Sequence, residues 1–309
     1  MKYVNYVNSL LREVVIKEEN LILYGQNIDA GSCLSGLTSG LGSVNKSMTL
    51  NTTNSENTLV GIGFGLMLNN ISSVFFMKQM DFLLLGIDHL VNTYNVIRQF
   101  NLTASFTIFP ISVDSGYEGP QSALNNLSDF CSIADIEGFS FTNKLDTEKI
   151  IHDKLVSPGF RILSPSQKLL REDTIDLPVI SYNPAFNYFQ YLDGLYVTII
   201  CFNFSIPYGV KLANAFAKSN KKPSLFSVNS NLPFDVSELI ENVKKTRRLV
   251  FIDDSKSVNK PSHSILNQIY SSFALEKFLF LQKDKEFNRF SPNDDQLDID
   301  YEYVTEFFK

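Results

Sequence analysis

Short apolar runs of strand length alternate with amphipathic stretches along most of this chain, which confines it to folds that interleave strands with crossover helices. Leu21–Tyr24 reads as a short buried strand ending at Gly25, Asn57–Asn69 as a helix, and Val74–Met77 as the next strand. Phe82–Gln99 places Leu83, Ile87, Leu90, Val91 and Tyr94 at helical spacing, and Phe106–Phe109 closes as a strand before Pro110. Leu145–Leu155 fits a crossover helix and Gly159–Leu163 the strand after it. Between Ser164 and Asp193 the pattern weakens around Pro165, Pro178 and Pro184, which marks an inter-domain linker. A second unit follows: strand Tyr196–Phe202, helix Pro207–Ser219, strand Ser224–Val228, helix Val236–Thr246, strand Arg248–Ile252, and helix Ser264–Ser271. The expected fold class is α/β, with two domains of mainly parallel sheet over residues 1–185 and 186–309.

Composition narrows the function. At 44% hydrophobic and 19% charged residues the chain is a globular protein. Its 27 basic side chains face 33 acidic ones, net charge -6, and no basic stripe could neutralise a row of phosphates, so nucleic acid is not an expected partner. No run approaches the length of an apolar membrane span, so no membrane partner is expected either. Cys33, Cys131 and Cys201 are isolated from one another, the usage of reduced thiols in a cytoplasmic protein rather than of zinc or a disulfide framework.

Several segments could carry chemistry. Gly61-Ile62-Gly63-Phe64-Gly65 lacks the spacing of a dinucleotide loop and lies within a helical stretch. Gly61 and Gly65, one helical turn apart, read as a bare face that admits another backbone, and Val4, Val7, Leu10 and Leu11 on the first helix as a second candidate for subunit contact. His89, His152 and His263 fall in no metal or triad pattern. Asn54-Ser55-Glu56 opens the glycine-bearing helix, with Ser55 as its cap and Glu56 favoured by the helix dipole.

The order of motifs from Glu13 to Val304 resembles the beta subunits of thiamine-diphosphate-dependent 2-oxo acid dehydrogenases, and more distantly the carboxyl-terminal half of transketolase. Tyr24-Gly25-Gln26-Asn27-Ile28 is similar to that family's glycine-acid-acid-valine turn, and Gly36-Leu37-Thr38-Ser39-Gly40-Leu41 to its threonine-x-glycine-leucine segment. Asn54-Ser55-Glu56 with Gly61 and Gly65 resembles its serine-glutamate and glycine-rich helix. Met80-Asp81-Phe82 and Ile87-Asp88-His89 resemble its aspartate-phenylalanine and isoleucine-aspartate-glutamine motifs, and Ile136-Glu137-Gly138-Phe139 its proline-glycine-leucine element. Asn242-Val243-Lys244-Lys245-Thr246-Arg247-Arg248-Leu249-Val250 is similar to its carboxyl-terminal signature.

The resemblance implies a pyrimidine-binding fold followed by a transketolase C-terminal-like domain. It implies that Glu56 is the catalytic and cofactor-binding acid, bonding a ring nitrogen of the aminopyrimidine of thiamine diphosphate. Phe82 would stack on that ring, with Gln79 and Leu85 along the same wall and Leu59 and Val60 supplying an apolar setting. Gln26 stands where the family often has glutamate, and Phe76 where it has an acid. The family histidine after a glycine-proline turn is absent from Tyr117-Glu118-Gly119-Pro120-Gln121-Ser122, which leaves Gln121 or Ser122 facing the substrate. Glutamine cannot shuttle a proton near neutral pH, which moves the acceptor away from a lipoyl arm and towards a sugar or aldehyde. No glycine-aspartate-glycine motif for Mg2+ and diphosphate appears, so the metal ligands are expected on an alpha-like partner that carries the diphosphate-binding domain. The implied protein is one subunit of a heterotetramer, homodimerising within it, that cleaves or forms a carbon-carbon bond beside a carbonyl. A non-catalytic structural or regulatory subunit of the same family is the alternative.

Overall fold

The computed structural model describes residues 1–116, 118–119, 127–232, 235–257, 260–283 and 297–309. Thirteen strands form two sheets among these residues: β1 (Leu21–Gly25), β2 (Met48–Asn51), β3 (Ser72–Met77), β4 (Ser105–Pro110), β5 (Glu137–Ser140), β6 (Gly159–Ser164), β7 (Ser181–Tyr182), β8 (Tyr188–Leu192), β9 (Thr198–Phe202), β10 (Ser224–Val228), β11 (Ser230–Leu232), β12 (Arg248–Asp253) and β13 (Lys277–Gln282). The first sheet runs β11-β5-β6-β4-β3-β1-β2 and is parallel except at the β11–β5 edge. The second runs β13-β12-β9-β10-β8-β7, parallel from β13 to β10 and antiparallel beyond. Both are the mainly parallel sheets that the strand–helix alternation predicts.

The pleat sorts the first sheet's side chains between two cores. Val74 and Phe76 of β3 join one cluster with the helix Tyr3–Val15, while Phe75 and Met77 join another with the helix Glu56–Leu68. Strands covered on both faces read as continuous apolar runs, and β3 and β4 are of this kind. The first helix is where the structure departs from expectation. Val7, Leu10 and Leu11 are at most 3% exposed within this chain's own core, with Val4 packed against it. The Tyr3 hydroxyl meets Thr147 Oγ1 of the neighbouring helix Lys144–Lys154 at 2.6 Å. That apolar face is therefore already covered and does not present a subunit contact.

Two further local differences have physical causes. The single helix expected over Phe82–Gln99 is broken into a tight 3₁₀ run Met80–Gly86, a π turn His89–Thr93 and a short α-helix Tyr94–Ile97. At Gly86 any side chain would press on Val60, and of Leu83, Leu84 and Leu85 only Leu83 is buried, so one regular periodicity does not serve the whole segment. The stretch read as linker holds the helix Gln167–Leu170 and strands β7 and β8. β8 is aromatic on both faces, with Tyr188 in one cluster and Phe189 and Tyr191 in another, which erases the alternation that marks a half-buried strand.

Asn229, between β10 and β11, carries the chain from the second sheet to the edge of the first. Its N–H donates to the Asn187 carbonyl at 2.8 Å, its carbonyl accepts from the Ser140 N–H at 2.9 Å, and its amide donates to the Ser140 carbonyl at 3.0 Å. Lys256, beyond β12, donates from Nζ to the Val113 carbonyl at 3.1 Å, a second tie between the two units. Among the described residues no helix is long and apolar enough to cross a membrane.

Candidate functional site

The strand order reverses around β1: the chain steps outward to β2, then crosses back to β3 on the other side. In parallel sheets such a reversal opens a crevice beyond the carboxyl ends of the strands. Gln26 follows β1 and Lys78 follows β3, so both stand at that crevice. Gly25 makes the close approach possible. Its φ is +151°, and a Cβ there would lie 2.2 Å from the Phe76 carbonyl oxygen. Next to it the Tyr24 ring stacks on Phe75 at 5.1 Å, and its hydroxyl donates to the Leu59 carbonyl at 2.9 Å, fixing the start of the helix Glu56–Leu68 against the sheet.

These constraints make a small pocket in which Glu56, Phe82 and Gln26 come together, with Asn54, Leu59 and Lys78 beside them and Phe76 behind. Glu56 is the first residue of its helix and half-buried. Ser55 occupies the cap position, but its hydroxyl donates to Thr58 Oγ1 at 2.8 Å and caps no backbone N–H. Phe82 is placed by the 3₁₀ run, whose entry is pinned by the Met80 N–H to the Ile111 carbonyl at 2.9 Å and the Ile111 N–H to the Met77 carbonyl at 3.2 Å. Adjacent Asp81 is 2% exposed. Burial pushes its carboxyl above the ordinary range, and the charge of Glu118 adds to this.

The other predicted residues are placed differently. Gln79 is buried and faces a neighbouring cleft, where its amide donates to the Glu118 carboxylate. Leu85 is 58% exposed and outside the pocket; its carbonyl accepts from Asn57 Nδ2 at 3.3 Å. Val60 is fully buried against Gly86. Gln121 and Ser122 lie outside the described residues. His89 turns its ring onto Gly61 and bonds Thr93, His152 meets Glu13 at 3.1 Å, and His263 packs on Phe280. None of the three lines the pocket.

The neighbouring cleft, about 500 Å3, shares Lys78 with the pocket. One wall is the loop after β1, in which Cys33, Leu34 and Ser35 take φ of 46°, 51° and 59°. Each such non-glycine residue costs on the order of 1 kcal/mol, and strain of this kind concentrates at functional sites. The turn is held by the Gly36 N–H to the Ser32 carbonyl at 2.9 Å and the Thr38 N–H to the Cys33 carbonyl at 3.1 Å. On the opposite side Gln167 also donates to Glu118, at 2.6 Å, and itself accepts from the Ser115 hydroxyl at 2.6 Å. Sequence reasoning missed Lys78, Glu118, Gln167 and Arg171 as cleft residues. The one available signal was Lys78 at the carboxyl end of a buried parallel strand, where ligands collect.

No protein-family profile matches the chain, and no curated protein does. Among solved structures it is similar to a split gene transketolase, an inactive beta4 tetramer, with TM-score 0.72 and 13% sequence identity over 92% of this chain and 89% of that one. The fold is transketolase-like. At this identity the likeness is one of architecture, two α/β units with mainly parallel sheets in one chain, as the motif order leads one to expect.

The pocket's donor set can be tested against the cofactor of the resembled family. The lining brings together the Glu56 carboxylate, the Phe82 ring, the apolar Leu59 and Phe76, and the amides of Gln26 and Asn54, the kinds of group that recognise a flat polar heterocycle. The pocket has a volume of about 10 Å3, room for one water, so this lining would form one face of an aminopyrimidine site and does not enclose the ring. Among the described residues no three His, Cys, Asp or Glu side chains converge as a cation site.

Proposed function

We propose that this chain is the pyrimidine-binding subunit of a two-chain thiamine-diphosphate-dependent enzyme that cleaves or forms a carbon-carbon bond beside a carbonyl. The observation that carries the reading is the convergence of Glu56 and Phe82, from two separate elements, in one pocket at the reversal of the first sheet. Residues 1–185 would supply this site, and residues 186–309 the transketolase C-terminal-like domain. When bound, the cofactor supplies an electron sink for the carbanion that such reactions generate. This chain's part is to hold and orient it. Glu56 shares a proton with a ring nitrogen, Phe82 offers a face for stacking, Leu59 and Phe76 keep water from the buried side, and Gln26 and Asn54 orient the polar edge. Mg2+ and the diphosphate fall to an alpha-like partner chain.

Assembly is supported by the helix Glu56–Leu68, which is apolar on its outer side: Ile62 and Leu68 are 45% and 46% exposed, and Gly65 faces open space. In the heterotetramer proposed, this face would meet a partner or a second copy of the chain. A cytoplasmic setting accords with three free cysteines, of which Cys131 and Cys201 are buried. Because Tyr117–Ser122 holds no histidine, a sugar or aldehyde acceptor stands beside a 2-oxo acid dehydrogenase role.

The test is co-purification with the product of a neighbouring reading frame of similar length that carries the magnesium motif, then assay of decarboxylation and of ketol transfer. Glu56→Ala should lower turnover at least a hundredfold with the partner still bound. Unchanged turnover removes Glu56 from the site. Absence of turnover in the unaltered complex favours the non-catalytic structural or regulatory subunit.

A further inference from the structure

A recess of about 800 Å3 opens in the second unit at the amino ends of β9 and β10, between residues 193–196 and 220–222. Its two walls are held together by short bonds. Ser224 Oγ donates to the Gly194 carbonyl at 2.8 Å and accepts from the Gly194 N–H at 3.0 Å, and the Tyr196 N–H donates to the Lys222 carbonyl at 3.0 Å. A Cβ on Gly194 would lie 2.2 Å from that same carbonyl oxygen, so the two loops approach as closely as only glycine permits. The recess is therefore formed before anything enters it.

Its charge runs against that of the chain. Lys221 and Lys222 line it beside the one acid Asp193, on a protein of net charge -6. Neither lysine has a hydrogen bond or an ion pair among the described residues. The Lys221 ammonium is shielded from solvent, with no acceptor for any of its three N–H donors. It lies 4.6 Å from the centroid of the Tyr196 ring, which the Arg248 guanidinium also meets, at 4.9 Å. A role in closing the helix Ile206–Lys218 does not account for it. With Asn220 at φ +56°, the Asn220 N–H donates to the Ala217 carbonyl at 2.9 Å and the Lys221 N–H to the Phe216 carbonyl at 3.1 Å, so that helix ends on backbone donors.

A buried ammonium without an acceptor is among the costliest of unmade hydrogen bonds, and the face of one ring offsets only part of that cost. The lysine stem is flexible, so rotation about its last bonds carries the ammonium from the ring into the recess that the residue lines. Lys222 is exposed there, a second point charge on the same wall. Leu195, on the opposite wall, is 76% exposed and offers an apolar surface with nothing over it among the described residues.

We infer that this recess binds a small molecule that carries an oxyanion on an apolar body, the anionic oxygens taken by Lys221 and Lys222 and the apolar part laid against Leu195. Binding moves the Lys221 ammonium from the face of Tyr196 to the anion and fills its donors. The inference rests on the second unit alone and stands whether or not the pocket of Glu56 takes a pyrimidine.

The experiment is a calorimetric titration of the full chain with phenyl phosphate, benzoate, phenol and inorganic phosphate, at low and at high salt. Saturable binding of phenyl phosphate or benzoate is expected, weakening as salt rises, with none for phenol and at least tenfold weaker binding of inorganic phosphate; which aromatic anion binds more tightly assigns the charged group. Lys221→Met and Lys222→Met should each weaken that binding about tenfold, and Leu195→Ser about threefold. Lys46→Met, whose ammonium pairs with Glu19 in the first unit, should leave it unchanged. Thermal melts confirm that the variants fold, and the exposed Lys222 and Leu195 keep the test open should Lys221→Met unfold. No binding of either aromatic anion, equal binding of phenol or of inorganic phosphate, or affinities indifferent to both lysine substitutions would each overturn the proposal.

Discussion

The Tyr191 hydroxyl donates to the carboxylate of Asp146 at 2.9 Å, joining β8 of the second sheet to the helix Lys144–Lys154 that covers the first. Asp146 is fully buried and also accepts from the Thr142 N–H and from Asn229 Nδ2, each at 3.2 Å. The two α/β units are thus tied by one desolvated acid whose donors come from both. Tyr191→Phe removes a donor and leaves the acceptor buried, which costs about 1.5–3 kcal/mol. Urea unfolding at pH 7 should show that loss, and a value within 0.5 kcal/mol of the parent, on the order of an unimportant surface change, would contradict it.

The same acid makes stability depend on pH. Burial pushes Asp146 up to about 6, against an ordinary value of 3.8, with Tyr191 among the donors that oppose the rise. Asp254, whose Oδ1 accepts from Asn203 Nδ2 and the Phe204 N–H, is pushed by burial to about 6 as well. For both groups the folded value lies above the unfolded one, so the folded state binds more protons. Their contribution is present in full below about pH 4 and is lost as pH rises through 6, by up to about 3 kcal/mol per group. Unfolding free energy should therefore fall between pH 5 and 7.5, and Asp254→Asn should flatten the fall. A slope identical in the variant would show that Asp254 does not titrate there.

Two glycines of one helix should respond in opposite ways. A Cβ on Gly63 would lie 2.2 Å from the Phe106 ring, so Gly63→Ala should destabilise by about 1–3 kcal/mol. Gly65 has nothing within 4 Å of that position, and Gly65→Ala should stabilise the isolated chain through helix propensity by up to about 1 kcal/mol, read as a higher melting temperature. If the outer face of this helix packs on a second copy, light scattering should show the Gly65→Ala assembly shifted towards smaller species. Equal melting shifts in the two variants would contradict the packing described for Gly63.

How far the sequence could be read depended on which physics left a local trace. Strands β1, β3, β4, β6, β9, β10 and β12 are apolar runs punctuated by glycine, proline or charge, and they lie within a residue or two of their expected positions. β8 left no trace because both its faces are buried and aromatic. The break of the 80–97 segment left none because hydrophobic spacing does not separate 3₁₀ and π turns from α. At the site, Glu56 and Phe82 line one small pocket. The cleft was illegible for two reasons. Lys78, Glu118 and Arg171 come from segments far apart in the chain, and nothing in Cys33-Leu34-Ser35 announces a left-handed turn.

The central claim is that the pocket of Glu56 takes the pyrimidine of thiamine diphosphate and that a second chain completes the site. The most direct measurement is a calorimetric titration of thiamine diphosphate with Mg2+ into this chain, alone and after co-purification with its genomic neighbour, each beside Glu56→Ala. Saturable binding is expected only when the partner is present, weakened at least tenfold in the variant. No binding in either format, or binding indifferent to Glu56, would contradict it.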